Sequence, residues 1–562
     1  MEQTATIEAQ PVSAARRETL RALLTVAGLI ALCLPSLALA WNFQDLPHFG
    51  VLQDDSLYFA GGKTFADGSE YRIQSLPSQP FQTKYPPLYP LYLSIAWRLN
   101  PSYPANVTTG LWLSWLAIPP ILLLTWLWCR RQKFSDARTW ILLTLIGLNP
   151  YIVFFACNIG SELFFLVFLL SALIAAERCR GRDRWWPLAA GILAGAAYLS
   201  RTAGGILLPA AIVYFLISRR RAAALWFTAG MLPAVIGWTA WCAMHATHAH
   251  DLVNMYYTSY LGWQSLNVGW NNLLSVVWQN FDALLEATGS IIFPQVLQGL
   301  AAKLVLQPLA IFVIFGCVRM FRNGEARLYS LFGLFSAALM LVWHGPSSQR
   351  LILHLVPLIL AGFCCQTAHL WSSLQIAFRH RDRSQRAAAR AIAGVLGFVF
   401  AAGFVFQIYM TVSAFPELFR EDREKERAFR QLYRWVEANV PATANLMWER
   451  DVDLYLTTGR HATSRPIPSR LWYAYGFDRD MDYYRNLDQF AREQHVEYVI
   501  ISTAGREPKP EPLRTVASNP QFERIHAEPG GVVFKLGGLT SADLTVSPSV
   551  SKVNQEPDQH PH

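Results

Sequence analysis

Up to residue 411 the chain is a succession of apolar runs separated by short polar segments. The runs lie near 22–41, 108–128, 139–157, 162–177, 186–200, 206–218, 223–243, 304–320, 328–343, 351–371 and 391–411. A helix needs about 20 apolar residues to cross roughly 30 Å of hydrocarbon, and the pattern predicts about eleven transmembrane helices. Run 162–177 and the pair divided at Ser200-Arg201-Thr202 are short or closely spaced, which leaves the count open by one or two. From 412 the pattern changes. Residues 422–439 read as a helix with Phe429, Leu432, Val436 and Val440 at helical spacing. Val496–Ser502 reads as a buried strand, and 522–526 with 532–536 flank Pro529-Gly530-Gly531 as a hairpin. The expected fold class is a polytopic α-helical membrane protein with a C-terminal α/β domain outside the cytoplasm. Its parts are a cytoplasmic N-terminus at 1–21, a membrane module at 22–411 with an outward loop at 42–107, the α/β domain at 412–540, and a disordered tail at 541–562.

Composition agrees with a membrane protein. Of the 562 residues 52% are hydrophobic and only 15% charged, against the roughly 25% charge of a soluble domain. A net charge of +9 would point to nucleic acid in a soluble protein, but here most of the Arg lies in short clusters between the apolar runs. These are Arg16/Arg17/Arg21, Arg130/Arg131/Lys133, Arg178/Arg180/Arg182, Arg219/Arg220/Arg221, Arg319/Arg322/Arg327 and Arg379/Arg381/Arg383/Arg386/Arg390. By the positive-inside rule they mark cytoplasmic loops, so 42–107, 244–303 and the tail from 412 face outward. The first run, with basic residues before it and Ala38-Leu39-Ala40 at its end, also imitates a secretory signal. Whether 22–41 is cleaved stays open, and residue 42 onward faces outward either way. The eight Cys lie in or beside apolar runs, which argues against a disulfide framework or a zinc ribbon.

Candidate chemistry concentrates on the outward side. Asp54-Asp55 follows the first helix, and a carboxylate at the water–lipid boundary is a plausible proton acceptor because partial desolvation raises its basicity. Lys84 in Lys84-Tyr85-Pro86-Pro87 offers a cation on a stiffened backbone, suited to a phosphate. Glu162 stands at the outer mouth of an apolar run, where charge is expensive and therefore a functional candidate; a dipole-favoured acid at a helix start is the plainer reading. Arg201 and Arg350 sit at outer ends, where the positive-inside rule does not expect Arg, which favours an anionic partner.

Asp54-Asp55 with Tyr58, Lys84-Tyr85-Pro86-Pro87-Leu88-Tyr89-Pro90, Ser161-Glu162-Leu163-Phe164 and Ser200-Arg201-Thr202-Ala203-Gly204 together resemble the GT-C glycosyltransferases, above all the protein O-mannosyltransferase-like and aminoarabinose (lipid A) transferase families. The resemblance covers roughly 20–410. Asp55 stands where the family commonly has Glu, and Ala203-Gly204 where an acid or Pro before Gly is frequent. The resemblance implies a polyprenyl-phosphate sugar donor, a hydroxyl-bearing acceptor (protein, lipid A or envelope glycan), an inverting transfer, and a bacterial inner-membrane location with the site outside. It also implies the roles: Asp54 as base, Asp55 positioning a cation or the sugar, Glu162 orienting the acceptor or sharing the base role, Lys84, Arg201 and Arg350 on the donor phosphate, and Tyr58 and Tyr85 in substrate binding. A site facing outward has no nucleotide-sugar supply, and the chain has neither a P-loop nor a dinucleotide fingerprint. The alternative function is a transporter or flippase of lipid-linked saccharides.

Two further patterns compete. Asp451-Val452-Asp453 and Asp480-Met481-Asp482 match the Asp-x-Asp of soluble glycosyltransferases, a pattern that arises easily in an acid-rich domain. His245, His248 and His250 have spacing that could ligate a transition metal. The cofactor is left unknown, a divalent ion among the options. The partners expected are the lipid-linked donor, the acceptor and the bilayer, with no nucleic acid.

Overall fold

Every apolar run is helical in the computed structural model, which describes residues 11–179, 183–246, 252–263, 272–294, 299–345, 348–379, 383–464, 484–504 and 510–537. Among the described residues six helices are long and apolar enough to cross a membrane. A seventh is obtained if Asp136–Gly147 and Pro150–Ala156, bent by 53°, form one span. The remaining runs form shorter helices: Ser161–Glu177, Trp185–Ser200, Thr202–Ile217 and Arg327–Leu341. The bend has a local cause. Asn149 caps the second segment, its Oδ1 accepting from the amides of Tyr151 at 3.2 Å and Ile152 at 3.4 Å, and Pro150 takes the first helical position, where no N–H is needed.

Helix Ser161–Glu177 is apolar on all sides and mostly buried, as a helix at the centre of a bundle must be. Its 17 residues rise only about 26 Å, so Glu162 at its start ends among other helices, with 3% of its side chain exposed. Close crossings depend on glycine. A Cβ on Gly191 would lie 2.1 Å from the Phe227 carbonyl oxygen, and one on Gly230 2.3 Å from that of Leu188. Helices Trp185–Ser200 and Arg221–Met244 thus meet backbone to backbone, the common basis of helix association in lipid.

Segment 42–107, expected as a loop, contains two helices, Asp54–Ala66 and Leu88–Leu99. They pack against each other: a Cβ on Gly62 would meet the Pro90 carbonyl oxygen at 3.2 Å, and Trp97 Nε1 donates to the Phe59 carbonyl oxygen at 2.8 Å. Leu57, Tyr58, Phe59, Tyr89 and Leu93 are buried, and this burial is what a hydropathy reading of a segment too polar to span cannot register. The approach to the first helix is anchored twice. His48 Nε2 donates to the Cys157 carbonyl oxygen at 2.9 Å while its ring stacks on Phe419 at 4.4 Å, and burial lowers the imidazole to about 4, keeping it neutral. Asp45 accepts from Arg423 at 2.7 and 2.6 Å.

The chain divides into two compact units, the second beginning at Arg427. That second unit is built on a five-stranded mixed sheet in the order β2-β1-β3-β5-β4, with β1 Leu446–Met447, β2 Ala462–Thr463, β3 Tyr498–Ser502, β4 Phe522–Glu528 and β5 Gly531–Leu536. β1 runs parallel to β2 and β3, while β5 is antiparallel to β3 and β4. The strand and hairpin expected from the sequence are β3 and β4–β5. Phe429, Leu432, Tyr433 and Val436, at helical spacing, belong to the same buried cluster as Leu446, Tyr498 and Val533. Asp451-Val452-Asp453 opens helix Asp451–Thr458 and is buried. Asp453 Oδ2 accepts from Tyr433 Oη at 3.0 Å and pairs with Arg450 at 3.2 Å, and Trp448 Nε1 donates to the same Tyr433 at 3.0 Å. This Asp-x-Asp is a buried core network; Asp480-Met481-Asp482 lies outside the described residues.

Candidate active site

Four charged side chains from four separate elements form one chain of ion pairs. Arg350, on the short helix Gln349–Ile352, donates from Nη2 to Asp54 Oδ2 and from Nε to Glu162 Oε1, both at 2.6 Å. Arg201, at the C-terminal cap of Trp185–Ser200, donates from Nη1 to the same Glu162 oxygen at 2.6 Å and to Ser161 Oγ at 3.0 Å. Ser161 Oγ in turn donates to Tyr58 Oη at 3.1 Å. Asp54 receives a second hydrogen bond at Oδ1, from Tyr85 Oη at 2.5 Å. Asp54, Glu162, Arg201, Arg350, Tyr58 and Tyr85, read from scattered motifs, are therefore one network.

Local sequence explains each position. Asp54 and Asp55 occupy the first turn of their helix, where negative charge suits the positive end of the dipole. Their fates differ. Asp55 is 1% exposed and its carboxylate accepts from the backbone amides of Gly50 at 2.9 Å and Ser56 at 2.8 Å, which spends it on holding the loop. Glu162 folds back over Gly160, where a Cβ would lie 2.5 Å from Oε2, so a larger residue there would displace the carboxylate. The Tyr58 phenol is pushed up to about 12, chiefly by burial, and that of Tyr85 is raised well above its usual range by burial and by Asp54. Both stay protonated near neutral pH, and Tyr85 can keep donating to Asp54.

Lys84 adjoins this network, and among the described residues no carboxylate is hydrogen-bonded to its ammonium. Its Nζ donates to the Tyr256 carbonyl oxygen at 2.6 Å and lies over the rings of Tyr256 at 4.4 Å, Tyr260 at 5.2 Å and Tyr85 at 5.5 Å. Only 6% of the residue is exposed, and burial lowers the ammonium to about 8 against the opposing pull of Asp54. Burial and the Lys84 charge together bring nearby His344 down to about 4, leaving it neutral. Lys84 is held in place by its backbone: the amides of Lys84 and Tyr85 both donate to Gln82 Oε1, at 2.9 and 3.1 Å.

Three comparisons bear on this arrangement. A family model described as dolichyl-phosphate-mannose-protein mannosyltransferase matches residues 84–242, under half of the chain but including Lys84, Glu162 and Arg201. No curated protein sequence matches. Among solved structures, the Archaeoglobus fulgidus oligosaccharyltransferase in its apo form aligns with 85% of this chain and 69% of its own, at 13% identity and a TM-score of 0.51. ArnT from Cupriavidus metallidurans, bound to undecaprenyl phosphate, aligns with 89% of this chain and 97% of its own, at 14% identity and a TM-score of 0.50. The archaeal oligosaccharyltransferase AglB from Archaeoglobus fulgidus, in complex with an inhibitory peptide and a dolichol-phosphate, aligns with 84% and 69% at 13% identity and a TM-score of 0.50. The fold is that of the GT-C glycosyltransferases.

Within this GT-C fold, several site residues escaped the sequence reading. Tyr256, Tyr257 and Tyr260 surround Lys84 and Gln53, and the tyrosine-rich run at 256–260 was the signal that could have found them. Among the described residues no three His, Cys, Asp or Glu side chains converge to hold a metal ion, and the two acids of the network are bridged by Arg350 instead. His245 is used structurally: its Nδ1 donates to the Trp241 carbonyl oxygen at 3.0 Å, and its ring packs on Trp241 at 3.9 Å and Phe81 at 4.1 Å. His248 and His250 lie outside the described residues. Because Glu162 is the common acceptor for two largely buried arginines, Glu162→Gln should cost about 3 kcal/mol of stability, read as a lowered thermal unfolding midpoint in detergent. Lys303→Ala, which breaks an exposed pair with Asp282, should change that midpoint little.

Proposed function

We propose that the protein is a glycosyltransferase of the extracytoplasmic membrane face that moves a sugar from a polyprenyl-phosphate donor to a hydroxyl of a protein, lipid A or envelope glycan. The observation that carries this reading is the Asp54–Arg350–Glu162–Arg201 chain with Lys84 beside it. Three cations against two carboxylates leave a positive surplus next to an acid, which is what a leaving phosphate and an attacking hydroxyl together require. The lipid phosphates bound by two structures of the same fold support the choice of donor. In the proposed reaction Arg350 and Lys84 turn to the donor phosphate, which releases Asp54 Oδ2. The acceptor oxygen then attacks the anomeric carbon, its proton passes to Asp54, and the carbon–oxygen bond to phosphate breaks with the electron pair leaving on the lipid phosphate. The anomeric centre inverts. Glu162 acts from behind by fixing Arg201 and Arg350, Asp55 by fixing the loop, and Tyr58 and Tyr85 line the sugar's approach.

Mass spectrometry of polyprenyl-phosphate sugars and envelope glycans from cells with and without the gene tests the reading. A glycan lost together with accumulation of its lipid-linked sugar supports transfer. Unchanged glycans, with the lipid-linked sugar merely redistributed across the membrane, would point to transport instead.

The location we propose is a bacterial inner membrane with the site and the C-terminal unit outside. In a Cys-depleted protein, Ser518→Cys should react with an impermeant maleimide in intact spheroplasts and Ser384→Cys only after lysis; the reverse would sink the lipid-donor argument. Asp54→Asn keeps size and most hydrogen bonding but removes the proton acceptor. Product formation should fall by roughly 100- to 10,000-fold with binding of undecaprenyl phosphate retained. The Lys84 ammonium, held at about 8 by burial, loses its charge as pH rises through that value. Undecaprenyl phosphate affinity should therefore decline between about pH 7 and pH 9, and the decline should vanish in Lys84→Arg, whose guanidinium stays charged. A pH-independent affinity in the unsubstituted protein would remove Lys84 from the phosphate site.

A further inference from the structure

The residue that precedes Asp54 is held in a conformation that amino acids with side chains rarely adopt. Gln53 has φ 58° and ψ −43°, and the amide of Asp54 donates to the Leu52 carbonyl oxygen at 2.6 Å, two residues back. This is a γ-turn of the rarer, strained hand, placed at the start of the helix that carries Asp54. Such strain persists only where surrounding structure enforces it.

The enforcing contacts are specific. Gln53 Oε1 accepts from Tyr256 Oη at 2.8 Å, and Gln53 Nε2 donates to Tyr257 Oη at 2.7 Å, so consecutive phenols grip both ends of one amide. On the helix side the Gln53 carbonyl oxygen accepts from Ser56 Oγ at 2.8 Å and from the Leu57 amide at 3.0 Å. The turn divides the acidic pair: after it, Asp54 reaches Arg350 and Tyr85, while Asp55 returns to the amide of Gly50. The gripping segment also holds the cation side of the site, through the Tyr256 carbonyl on Lys84 Nζ at 2.6 Å and the Thr258 carbonyl on Thr83 Oγ1 at 2.7 Å.

We infer that Gln53 is a positioning residue: its amide, clamped by Tyr256 and Tyr257, holds the strained turn that aims Asp54 at Arg350, and it contacts no substrate. The inference rests on the reading of Asp54 as the proton acceptor. It distinguishes two substitutions that remove the same contacts. Gln53→Ala loses the clamp and keeps a Cβ that disfavours positive φ; Gln53→Gly loses the clamp but adopts positive φ freely.

The experiment measures, by mass spectrometry, restoration of the glycan lost in cells without the gene by Gln53→Ala, Gln53→Gly, Tyr257→Phe and Gln53→Ala/Tyr257→Phe at matched membrane levels. Undecaprenyl phosphate binding and thermal midpoint are measured on each purified protein. The expected result is a loss of about 10- to 100-fold for Gln53→Ala, a loss several-fold smaller for Gln53→Gly, and non-additivity in the double variant, with undecaprenyl phosphate affinity unchanged. Equal losses in Gln53→Ala and Gln53→Gly, additive losses in the double variant, or weakened undecaprenyl phosphate binding would overturn the inference. If Gln53→Ala fails to fold, a fully active Gln53→Gly supports the inference and an inactive, folded one overturns it. Asp54→Asn separates the two levels: full activity there removes the reading of the site. An inactive Asp54→Asn beside fully active Gln53→Ala removes the positioning role alone.

Discussion

Arg350 makes the interaction on which the arrangement of the charged site depends. One guanidinium joins Asp54, 296 residues away in sequence, to Glu162, 188 residues away. Burying a carboxylate as Glu162 is buried is costly unless it is paired and hydrogen-bonded, so the elements that carry its partners are fixed with it. Helix Ser161–Glu177 must bring Glu162 inward, Gly160 must leave room for its carboxylate, Arg201 must leave its helix at the level of Ser161, and helix Asp54–Ala66 must start where Arg350 can reach it. The planar fork of Arg suits this task, since Nε and Nη2 address two acids at once. A single ammonium could not hold the same geometry.

The helices of the membrane unit were legible because hydrocarbon imposes one rule on every residue of a span, and a rule applied twenty times in succession leaves a trace in composition alone. The strand Tyr498–Ser502 and the hairpin Phe522–Leu536 were legible for a related reason, being bounded by turn residues and rich in β-branched or aromatic side chains. The helices Asp54–Ala66 and Leu88–Leu99 were not. Their stability comes from packing Gly62 against Pro90 and Trp97 against the Phe59 backbone, tertiary contacts with no periodic signature.

The site was legible in its members and not in its bonds. Asp54, Glu162, Arg201 and Arg350 stood out because each was charged where its position made charge unusual: Asp54 at the water–lipid boundary, Glu162 at the mouth of an apolar run, and the two arginines where the positive-inside rule does not expect them. That test is sound for single residues and silent about partners, so it could not say that Arg350 joins the two acids or that Asp55 faces a backbone amide. The same test misfires where burial serves the core. Asp453 is as buried as Glu162, yet its partners Tyr433, Arg450 and Trp448 form a network within the second unit. His245 has a plausible ligand spacing and lies between aromatic rings. What marks the candidate site is a cationic surplus. In the network of Asp54 and Glu162, Arg201, Arg350 and Lys84 bring three cations to two acids.

Under the function proposed above, that surplus explains how the network is both rigid and reactive. A site whose charges were fully paired would have to break a good ion pair to admit an anion, and would lose on desolvation what it gained by contact. Here Lys84 is bonded to a neutral carbonyl and ringed by three tyrosines, an arrangement that keeps a cation in place at far less cost in competition than a carboxylate would. In the proposed reaction an arriving phosphate takes Lys84 first and then shares Arg350, whose bond to Glu162 is independent of its bond to Asp54. Arg350 can therefore let go of Asp54 without leaving its position, and the freed carboxylate oxygen already faces the place where phosphate has become a neighbour. On that proposal, pairing in the resting site keeps the acid aimed, and the order in which those pairs exchange determines when it becomes available.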